Sequence, residues 1–294
     1  MNRKRFITGL SIALATGACR LPALARATPG SPPLVGINHI PFAVRNLEQA
    51  VETYRRLGFT IKPGRLHDDG IRNNHVKFPD GAGIELITAP AATDELTGIY
   101  TKMIAQGDGP GYVSFHSANL EPIEAAARRL PEAYSVDDVG ILTYSSAALR
   151  WLFMFAGSNR SPTDRPEYFA HPNGAHATVG VWIAGTEQEQ QQDLRLFAAL
   201  GARIERKSVR APDLLDATVA TVANGEVIFL PAHRQLLPAR PIVGIVLRTR
   251  DLSAARHALQ AADITDLRSI ETNTCKSLVV SPRHTHGAWL EFRA

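Results

Sequence analysis

The sequence is poor in the features that mark several common protein classes. It contains two cysteines, Cys19 and Cys275, which excludes the multiple disulfides of small secreted domains. No internal apolar run approaches the ~20 residues that a membrane-spanning helix needs. The serine hydrolase pattern Gly-x-Ser-x-Gly is absent. Basic residues are not clustered with aromatic ones, so nucleic acid is not implied as a partner.

The N-terminal stretch differs from the rest of the chain. Basic residues from Arg3 to Arg5 precede an apolar stretch from Phe6 to Ala18, and two Ala-x-Ala sites follow within residues 23–27. This order predicts an export signal over residues 1–27 and an exported protein, periplasmic or secreted. A disordered basic tail is the alternative. An imperfect lipobox ends at Cys19, which leaves a lipoprotein attached through Cys19 open.

The predicted signal accounts for the positive net charge. The chain has 32 Lys and Arg residues against 28 Asp and Glu, a formal charge of +4. Five of the basic residues and none of the acidic ones lie in residues 1–27, so removal of this segment leaves 27 basic residues against 28 acidic. The mature chain would then be nearly neutral and would hold Cys275 alone, which we expect to be a buried structural thiol.

The stretch from Ile37 to Pro90 has the pattern of a compact supersecondary unit. An alternating strand at its start leads into a helix with apolar residues at positions 47, 50, 51, 54 and 57, the spacing of one buried face. Gly58 is placed to end that helix. Further strands are predicted after it, the last two around His75–Phe78 and Gly83–Thr88. The predicted order is therefore strand, helix and three strands.

Three later stretches repeat this unit, beginning near Gly111, Thr178 and Pro241. An Asn or Asp precedes most of the predicted helices, as expected of N-cap residues. Four units at this spacing fill the chain after the signal. The predicted organisation is a first half over residues 36–156, a linker over 157–174 and a second half over 175–294.

A tandem of βαβββ units with His in the first strand and Glu in the last resembles the vicinal oxygen chelate superfamily. The first unit is most similar to its glyoxalase-like domain branch, through the stretches LGFTIKPGRLHDDGIRN and GAGIELI. Later stretches that fit are His171–Ala175 and His286–Phe292. The resemblance covers about residues 36–294. It implies an α+β fold of tandem βαβββ units, of the glyoxalase, bleomycin-resistance and extradiol-dioxygenase type, paired into two curled mixed sheets.

The resemblance also implies a divalent metal ion (Zn, Fe, Mn or Ni) in the cup of a curled sheet. The ligands in this superfamily come from first strands and last strands, and imidazole and carboxylate groups suit these metals. His39 and Glu85 fit the ligand positions of the first unit, and Glu291 fits that of the fourth. The other equivalent positions hold poor ligands, at about Tyr112, Gly180, Gly244, Phe153 and Ile228.

How the units pair decides the metal site. If the first and fourth units share a cup, His39, Glu85 and Glu291 form a complete ligand set. If neighbouring units pair, His39 and Glu85 need His75 or water as further ligands. The alternative for His39 and Glu85 is a buried hydrogen-bonded pair that needs no metal.

Polar residues beside the predicted cup are candidates for contacts with a substrate. His67 and the run Asn73-Asn74-His75 lie in a loop and strand entry next to the pair, and His286 lies just before the last strand. Of these, His67, Asn74, His75 and His286 are the predicted contacts. Ordinary turn chemistry is the competing explanation for the loop residues.

We therefore expect a metal-assisted lyase or isomerase, or a related or dioxygenase-like activity of this superfamily, on a small oxygen-rich molecule. The metal would polarise a carbonyl or enediolate oxygen, and Glu85 or Glu291 would take the proton. The alternative is a non-catalytic protein that binds a small-molecule ligand in the same cup.

Overall fold

The computed structural model describes residues 34–138, 140–156, 161–271 and 276–294. The predicted export signal, Cys19 and Cys275 lie outside these ranges, as do residues 157–160 of the predicted linker. None of the helices in the described part of the chain has both the length and the apolar character that a membrane span requires.

The elements follow the predicted order of strand, helix and three strands four times. The first unit comprises β1 (Gly36–Ala43), α1 (Leu47–Arg56), β2 (Lys62–Leu66), β3 (Arg72–Lys77) and β4 (Gly83–Thr88). A connection then adds α2 (Glu95–Gln106) and β5 (Gly109–Pro110). The second unit comprises β6 (Val113–Ser117), α3 (Leu120–Ala127), β7 (Tyr134–Val136), β8 (Ile141–Tyr144) and β9 (Leu152–Ala156).

The second half repeats the arrangement with longer strands. The third unit comprises β10 (Ala175–Gly185), α4 (Glu187–Ala199), β11 (Arg203–Arg210), β12 (Leu214–Val222) and β13 (Gly225–Pro231). The fourth comprises β14 (Ile242–Thr249), α5 (Leu252–Ala261), β15 (Arg268–Glu271), β16 (Lys276–Val280) and β17 (Trp289–Arg293). Short 3₁₀ helices lie at Pro166–Phe169, Ala232–Arg234 and Pro282–His284.

Neighbouring units pair into two sheets. The first sheet has the order β2-β3-β4-β1-β6-β9-β8-β7, with β5 also on β1, and the second has the order β11-β12-β13-β10-β14-β17-β16-β15. In each sheet the two units meet through their first strands, β1 with β6 and β10 with β14, which run antiparallel. The first strand of each unit is parallel to its last. The predicted α+β fold with two mixed sheets is confirmed.

The first helix shows how the sequence builds a unit. Asn46 caps α1, because its side chain accepts a hydrogen bond from the backbone N–H of Gln49 at 2.9 Å. Gly58 follows the helix with φ 84°, a backbone conformation that glycine adopts without strain. A Cβ at Gly58 would lie 2.8 Å from the Cβ of Ala258, so the absence of a side chain also permits the close approach of α5.

One apolar core joins the two halves. The helices of the four units cover one face of each sheet and meet each other, α1 with α5 and α3 with α4. Phe59 stacks on Phe292 with ring centroids 5.9 Å apart, and Phe115 meets Phe197 edge-on at 5.4 Å. Each of these pairs joins one half to the other, so the core is continuous between them.

The opposite faces of the two sheets, here called the first cup and the second cup, differ in character. The second cup is filled by an apolar cluster around Trp182, which is fully buried. A Cβ at Gly244 would lie 2.3 Å from the Trp182 ring, so the absence of a side chain there allows the indole to pack directly against the backbone of β14. The first cup carries His39 and Glu85 and is covered in part by α2. The two cups therefore offer different surfaces to a ligand, one apolar and filled, the other polar.

Candidate functional site

His39 and Glu85 lie side by side in the first cup. Strands β1 and β4 are parallel neighbours, and their alternation turns Ile40 and Ile84 into the shared core and His39 and Glu85 to the other face. His39 Nε2 lies 3.5 Å from Glu85 Oε2, and the two side chains are 17% and 13% exposed. The structure thus places the predicted pair together and largely shielded from water.

A hydrogen bond to Asn38 determines which ring nitrogen of His39 faces Glu85. Nδ1 of His39 contacts Oδ1 of Asn38, so in the neutral ring Nδ1 carries the proton and Nε2 presents its lone pair. Burial, with smaller effects of Lys77 and His75, lowers the pKa of His39 to about 3. At neutral pH an uncharged nitrogen acceptor therefore faces the Glu85 carboxyl.

Asn73 holds the other oxygen of Glu85. Its amide Nδ2 donates to Glu85 Oε1 at 2.7 Å. Burial raises the pKa of Glu85, and the hydrogen bond from Asn73 partly opposes that effect. The carboxyl is consequently fixed in one orientation and takes up a proton more readily than an exposed glutamate does.

The predicted role of Asn74 is not supported by its position. Successive residues of a strand point to opposite faces, so Asn74 lies on the side away from Asn73 and Glu85. Its Oδ1 accepts a hydrogen bond from the backbone N–H of Gly64 at 3.3 Å. The structure therefore assigns to Asn73 the contact with the cup that the sequence suggested for Asn74.

His75 and Lys77 share the face of β3 that carries Asn73. His75 is the direct register partner of Glu85 and of Lys62 on the flanking strands. Burial, together with the charges of Lys77 and Lys62, lowers the pKa of His75 to about 3. Burial also lowers the pKa of the Lys77 ammonium. The first cup thus holds two uncharged imidazoles, the Glu85 carboxyl and Lys77, beside the buried ion pair of Lys62 and Asp164.

Aromatic side chains form the rest of the first cup. Phe153 meets His39 edge-on with ring centroids 5.6 Å apart and meets Tyr112 at 6.2 Å. Tyr100, on α2, packs against Tyr112 at 6.3 Å. The Tyr100 hydroxyl is buried and has no hydrogen-bond partner in the described part of the chain. Burial raises its pKa, and the charge of Glu85 adds to the effect, so the hydroxyl is a permanent donor near that carboxyl.

The sheet register shows which residues of the second unit correspond to the pair. Glu85 is opposite Pro41 on β1, and Phe153 is opposite Ser114 on β6. Two residues before Pro41 stands His39, and two before Ser114 stands Tyr112. The second unit therefore presents Tyr112 and Phe153 where the first presents His39 and Glu85, as the sequence predicted.

These residues do not fit a protein-held metal ion. A catalytic metal of this kind takes about three protein ligands, and the first cup contributes His39 and Glu85, while Tyr112 and Phe153 occupy the related positions. His75 lies nearby, but no three His, Cys, Asp or Glu side chains in the described ranges are placed to hold a metal. Glu85 is also already engaged by Asn73.

Glu291 does not complete this site. It lies on β17 of the second sheet, so the shared cup that would join it to His39 and Glu85 does not form. Its two carboxylate oxygens accept hydrogen bonds from Arg293, each at 3.0 Å, and Arg293 also binds Glu226 at 2.6 Å. Glu291 is only 2% exposed. Its position is that of a buried ion-pair partner, and the predicted metal and catalytic roles are not supported.

His286 and His67 lie at the borders of the first half. His286 Nδ1 is 2.8 Å from Asp108 Oδ2, and its Nε2 is 3.1 Å from Thr53 Oγ1. Both nitrogens are thus occupied in a contact between the halves, and the predicted substrate contact of His286 is not supported.

His67 Nε2 lies 3.4 Å from Asn73 Nδ2, which keeps His67 beside the cup as expected.

Two side chains of the cup were not identified from the sequence. Lys77 was detectable in principle, because it alternates with Asn73 and His75 along one strand. Tyr100 was not, since it lies on the connecting helix α2, outside the repeated unit.

Comparison with known proteins supports the fold. A model of the glyoxalase-like domain family matches residues 37–223, which is more than half of the chain. A search among curated proteins finds no significant match.

Several solved structures share the architecture. A xylose isomerase-like TIM barrel/4-hydroxyphenylpyruvate dioxygenase fusion protein has a TM-score of 0.63 at 12% identity, covering 90% of this chain but only 50% of that one. A mutant of 4-hydroxymandelate synthase from Streptomyces coelicolor has a TM-score of 0.63 at 8% identity, covering 89% and 92%. Homoprotocatechuate 2,3-dioxygenase from Brevibacterium fuscum, in complex with 3,4-dihydroxyphenylacetate, has a TM-score of 0.59 at 9% identity, covering 92% and 83%. At such identities the likeness concerns the fold alone.

Proposed function

This chain belongs to the glyoxalase-like domain family, and we propose that its first cup binds a small oxygen-rich molecule on which Glu85 acts as a general base. The proposal rests on the local environment of Glu85. It is a nearly buried carboxyl, held by Asn73 at 2.7 Å and faced by the lone pair of His39 at 3.5 Å. A carboxyl whose pKa is raised by burial is suited to proton transfer near neutral pH.

The proposed reaction class is an isomerisation by proton transfer next to a carbonyl group. The Glu85 carboxylate takes the proton, so that the C–H bond breaks and its electron pair moves to the carbonyl oxygen as an enediolate. Glu85 then delivers a proton, which exchanges with solvent while it is on the carboxyl, to the former carbonyl carbon, which restores the carboxylate. The hydroxyl proton on the first carbon moves to the former carbonyl oxygen, so that the carbonyl group now lies on the first carbon. His39 Nε2 accepts a hydrogen bond from the protonated Glu85 during the interval.

Tyr100 supplies the donor for the oxygen on which charge develops. Its hydroxyl is buried, near Glu85, and without a partner in the described residues. An unpaired buried hydroxyl costs about 1–3 kcal/mol, which a ligand oxygen offsets by accepting its hydrogen bond. A donor placed before the reaction stabilises the enediolate more than the ketone.

The resemblance to the superfamily implies a divalent metal, but the donors of the first cup do not fit the usual set of about three protein ligands. His39 and Glu85 are the two donors that the first cup offers. The proposed steps rely on neither a metal ion nor a ligand bound to one.

Non-catalytic binding is a second candidate function, favoured by the aromatic pair at the related positions. Tyr112 and Phe153 meet at 6.2 Å in the cup and form a wall suited to a flat ligand. A protein of this kind binds its ligand without needing a base at position 85.

The experiment that tests catalysis is hydrogen–deuterium exchange in D₂O. Purified protein is incubated with a panel of 2-hydroxy aldehydes, 2-hydroxy ketones and 2-oxo acids, and loss of the adjacent C–H signal is followed by NMR. We expect catalysed exchange for part of the panel and a loss of at least about a hundredfold in Glu85→Gln, the range of general base catalysis. The matched control is Glu48→Gln, since Glu48 is exposed on α1.

The two functions separate clearly in this experiment. Ligand-induced stabilisation with no exchange by the wild-type protein, and retained in Glu85→Gln, would support binding and contradict catalysis. Equal exchange by wild type and Glu85→Gln would remove Glu85 from the reaction.

We also propose that the protein is exported, on the basis of the basic, apolar and small-residue order of residues 1–27. Cell fractionation with N-terminal sequencing of the mature chain tests it. A cytoplasmic protein that retains residue 1 would contradict it.

A further inference from the structure

We propose that the first cup selects ligands that carry a carboxylate group, and that Lys77 is the side chain that binds it. The inference rests on the proposed location of the ligand in the first cup, but it does not require catalysis there. It narrows the substrate class from oxygen-rich molecules to small organic acids.

The position of Lys77 in the sheet directs it into the cup. It is the third residue of the face of β3 that also carries Asn73 and His75. Its charge acts on His39, His75 and Glu85, as expected of a side chain on the same face. Lys77 is therefore a cation on the face that carries the Glu85 carboxyl.

The ammonium of Lys77 has no direct counter-ion among the residues that the structure describes. Its hydrogen bond goes to the backbone carbonyl of Gly81, and the described ion pairs of the cup do not include it. The charges of Asp164, Asp80 and Glu85 favour the ammonium form, but none of these side chains forms a described ion pair with it. Burial of a cation without a paired anion is unfavourable. An anionic group of a ligand would offset that cost.

Asp164, a buried carboxylate whose charge acts on Lys77, forms its ion pair with another lysine, Lys62. Asp164 Oδ1 lies 2.5 Å from Lys62 Nζ, and the two side chains are 4% and 10% exposed. The other oxygen of Asp164 accepts a hydrogen bond from the backbone N–H of Ser161 at 2.9 Å. Because both oxygens are used, Asp164 makes no direct ion pair with Lys77, although its charge acts on both lysines.

The register of β3 and β4 also indicates the length of the ligand. Lys77 is opposite Gly83, two residues before Glu85 on β4. Two residues of a strand span about 6.6 Å. The Lys77 ammonium contacts the carbonyl of Gly81, two residues further from Glu85 along the chain than Gly83. A ligand that reaches both groups therefore carries its carboxylate several bonds from the carbon that loses the proton.

The test measures binding to matched pairs of an acid and its primary amide. The pairs are lactate and lactamide, benzoate and benzamide, and phenylacetate and phenylacetamide, compared by calorimetry and thermal shift at constant ionic strength. We expect the wild-type protein to bind the acid of at least one pair about tenfold more tightly than its amide. We expect Lys77→Met to abolish that preference, while Lys77→Arg, which keeps the charge, retains most of it.

Two further variants locate the binding site. Glu85→Gln removes a negative charge from the cup, so we expect it to tighten acid binding. Arg248→Met is the control, because Arg248 lines a separate cleft of about 570 Å³ between the halves; acid binding should survive this change. Absence of an acid preference in the wild type, its persistence in Lys77→Met, or its loss in Arg248→Met would each overturn the inference.

Failure of this inference is distinguishable from failure of the proposed function. Binding is measured without turnover, so a protein that catalyses no exchange still reveals an acid preference. Conversely, intact exchange with equal binding of acids and amides would reject the role of Lys77 alone.

Discussion

Asn73 and Glu85 are joined across two neighbouring strands by a hydrogen bond of 2.7 Å from the amide Nδ2 to the carboxylate Oε1. The contact is diagonal, because Glu85 lies directly opposite His75 in the register and Asn73 lies opposite Ile87. A diagonal contact leaves Oε2 of Glu85 turned toward His39. The amide thus orients the carboxyl as well as stabilising its charged form.

The first prediction concerns Asn73→Ala. A hydrogen bond to a charged group contributes about 1.5–3 kcal/mol, and this one favours the carboxylate. Its loss should raise the pKa of Glu85 further, so the acid limb of the pH profile of exchange should move to higher pH, by about one unit. Profiles of exchange rate against pH for wild type and variant provide the measurement.

Asn74→Ala is the matched control for this change, since it removes the same side chain from the opposite face of the strand. Its profile should coincide with that of the wild type. A shift in Asn74→Ala as large as that in Asn73→Ala would contradict the assignment of Asn73.

The repeated units and the His39–Glu85 pair could be predicted from the sequence because both depend on local order. Helix caps, apolar spacing and strand alternation recur in each unit, and the first and last strands of a βαβββ unit are neighbours. A histidine on the first strand and a glutamate on the last are therefore brought together by the fold itself. The pairing of neighbouring units into sheets could not be read from these local patterns, and it separates Glu291 from His39.

The roles of the other site residues depend on partners distant in the chain. His286 and Glu291 look like ligands in isolation, but Asp108 and Arg293 occupy their polar atoms. Asn74 was chosen over Asn73 because a polar run gives no indication of which residue faces inward. In the structure Val76 lies in the shared core. Because side chains alternate along a strand, its position fixes which residues of β3 face the core and shows that Asn73 faces the first cup.

The second prediction concerns acid stability. His39 and His75 have pKa values lowered to about 3 in the folded protein, against about 6.5 when unfolded. The unfolded chain therefore binds more protons between these values, so the free energy of unfolding should fall as the pH falls below about 6.5. Each histidine contributes a slope of up to about 1.4 kcal/mol per pH unit. Glu85, with a raised pKa, contributes in the opposite direction.

Comparison with His75→Gln isolates the contribution of one imidazole. Urea unfolding of both proteins between pH 7 and about pH 4.5 should give a shallower loss of stability in the variant. The same substitution at His257, exposed on α5, serves as the control. Parallel pH dependences of wild type and His75→Gln would contradict a buried, uncharged His75.

The third prediction concerns Arg240, which links the second half to the helix that covers the first cup. Its guanidinium is buried and donates to the carbonyl oxygens of Pro110 at 3.1 Å, Met103 at 3.2 Å and Gly107 at 2.7 Å, and also to that of Gly109. Arg240→Met leaves these carbonyls without their donor, which should lower the free energy of unfolding by about 3 kcal/mol.

Arg240→Lys should recover less than half of that loss, because an ammonium does not reproduce the planar arrangement of donors. Urea denaturation measures both variants, with Arg248→Met as the exposed control. A destabilisation of Arg240→Met no greater than that of the control would show that the buried contacts contribute little.

The last prediction tests whether a second imidazole, introduced at position 112, allows the first cup to hold a metal ion. Tyr112 occupies, by register, the position that His39 has in the first unit, and its ring lies near Phe153 and hence near His39. We expect the wild-type protein, dialysed against Zn²⁺ or Fe²⁺ and desalted, to retain well under one equivalent of metal, since His39 and Glu85 alone provide two ligands where about three are usual. Tyr112→His adds a second imidazole beside them and should raise retention toward one equivalent by atomic emission analysis. The double variant Tyr112→His with His39→Ala should lose that gain, which shows that the metal is held in the cup. If the wild type retains a full equivalent and His39→Ala alone loses it, the two-ligand description is wrong. The first cup would then be a metal site that includes His39.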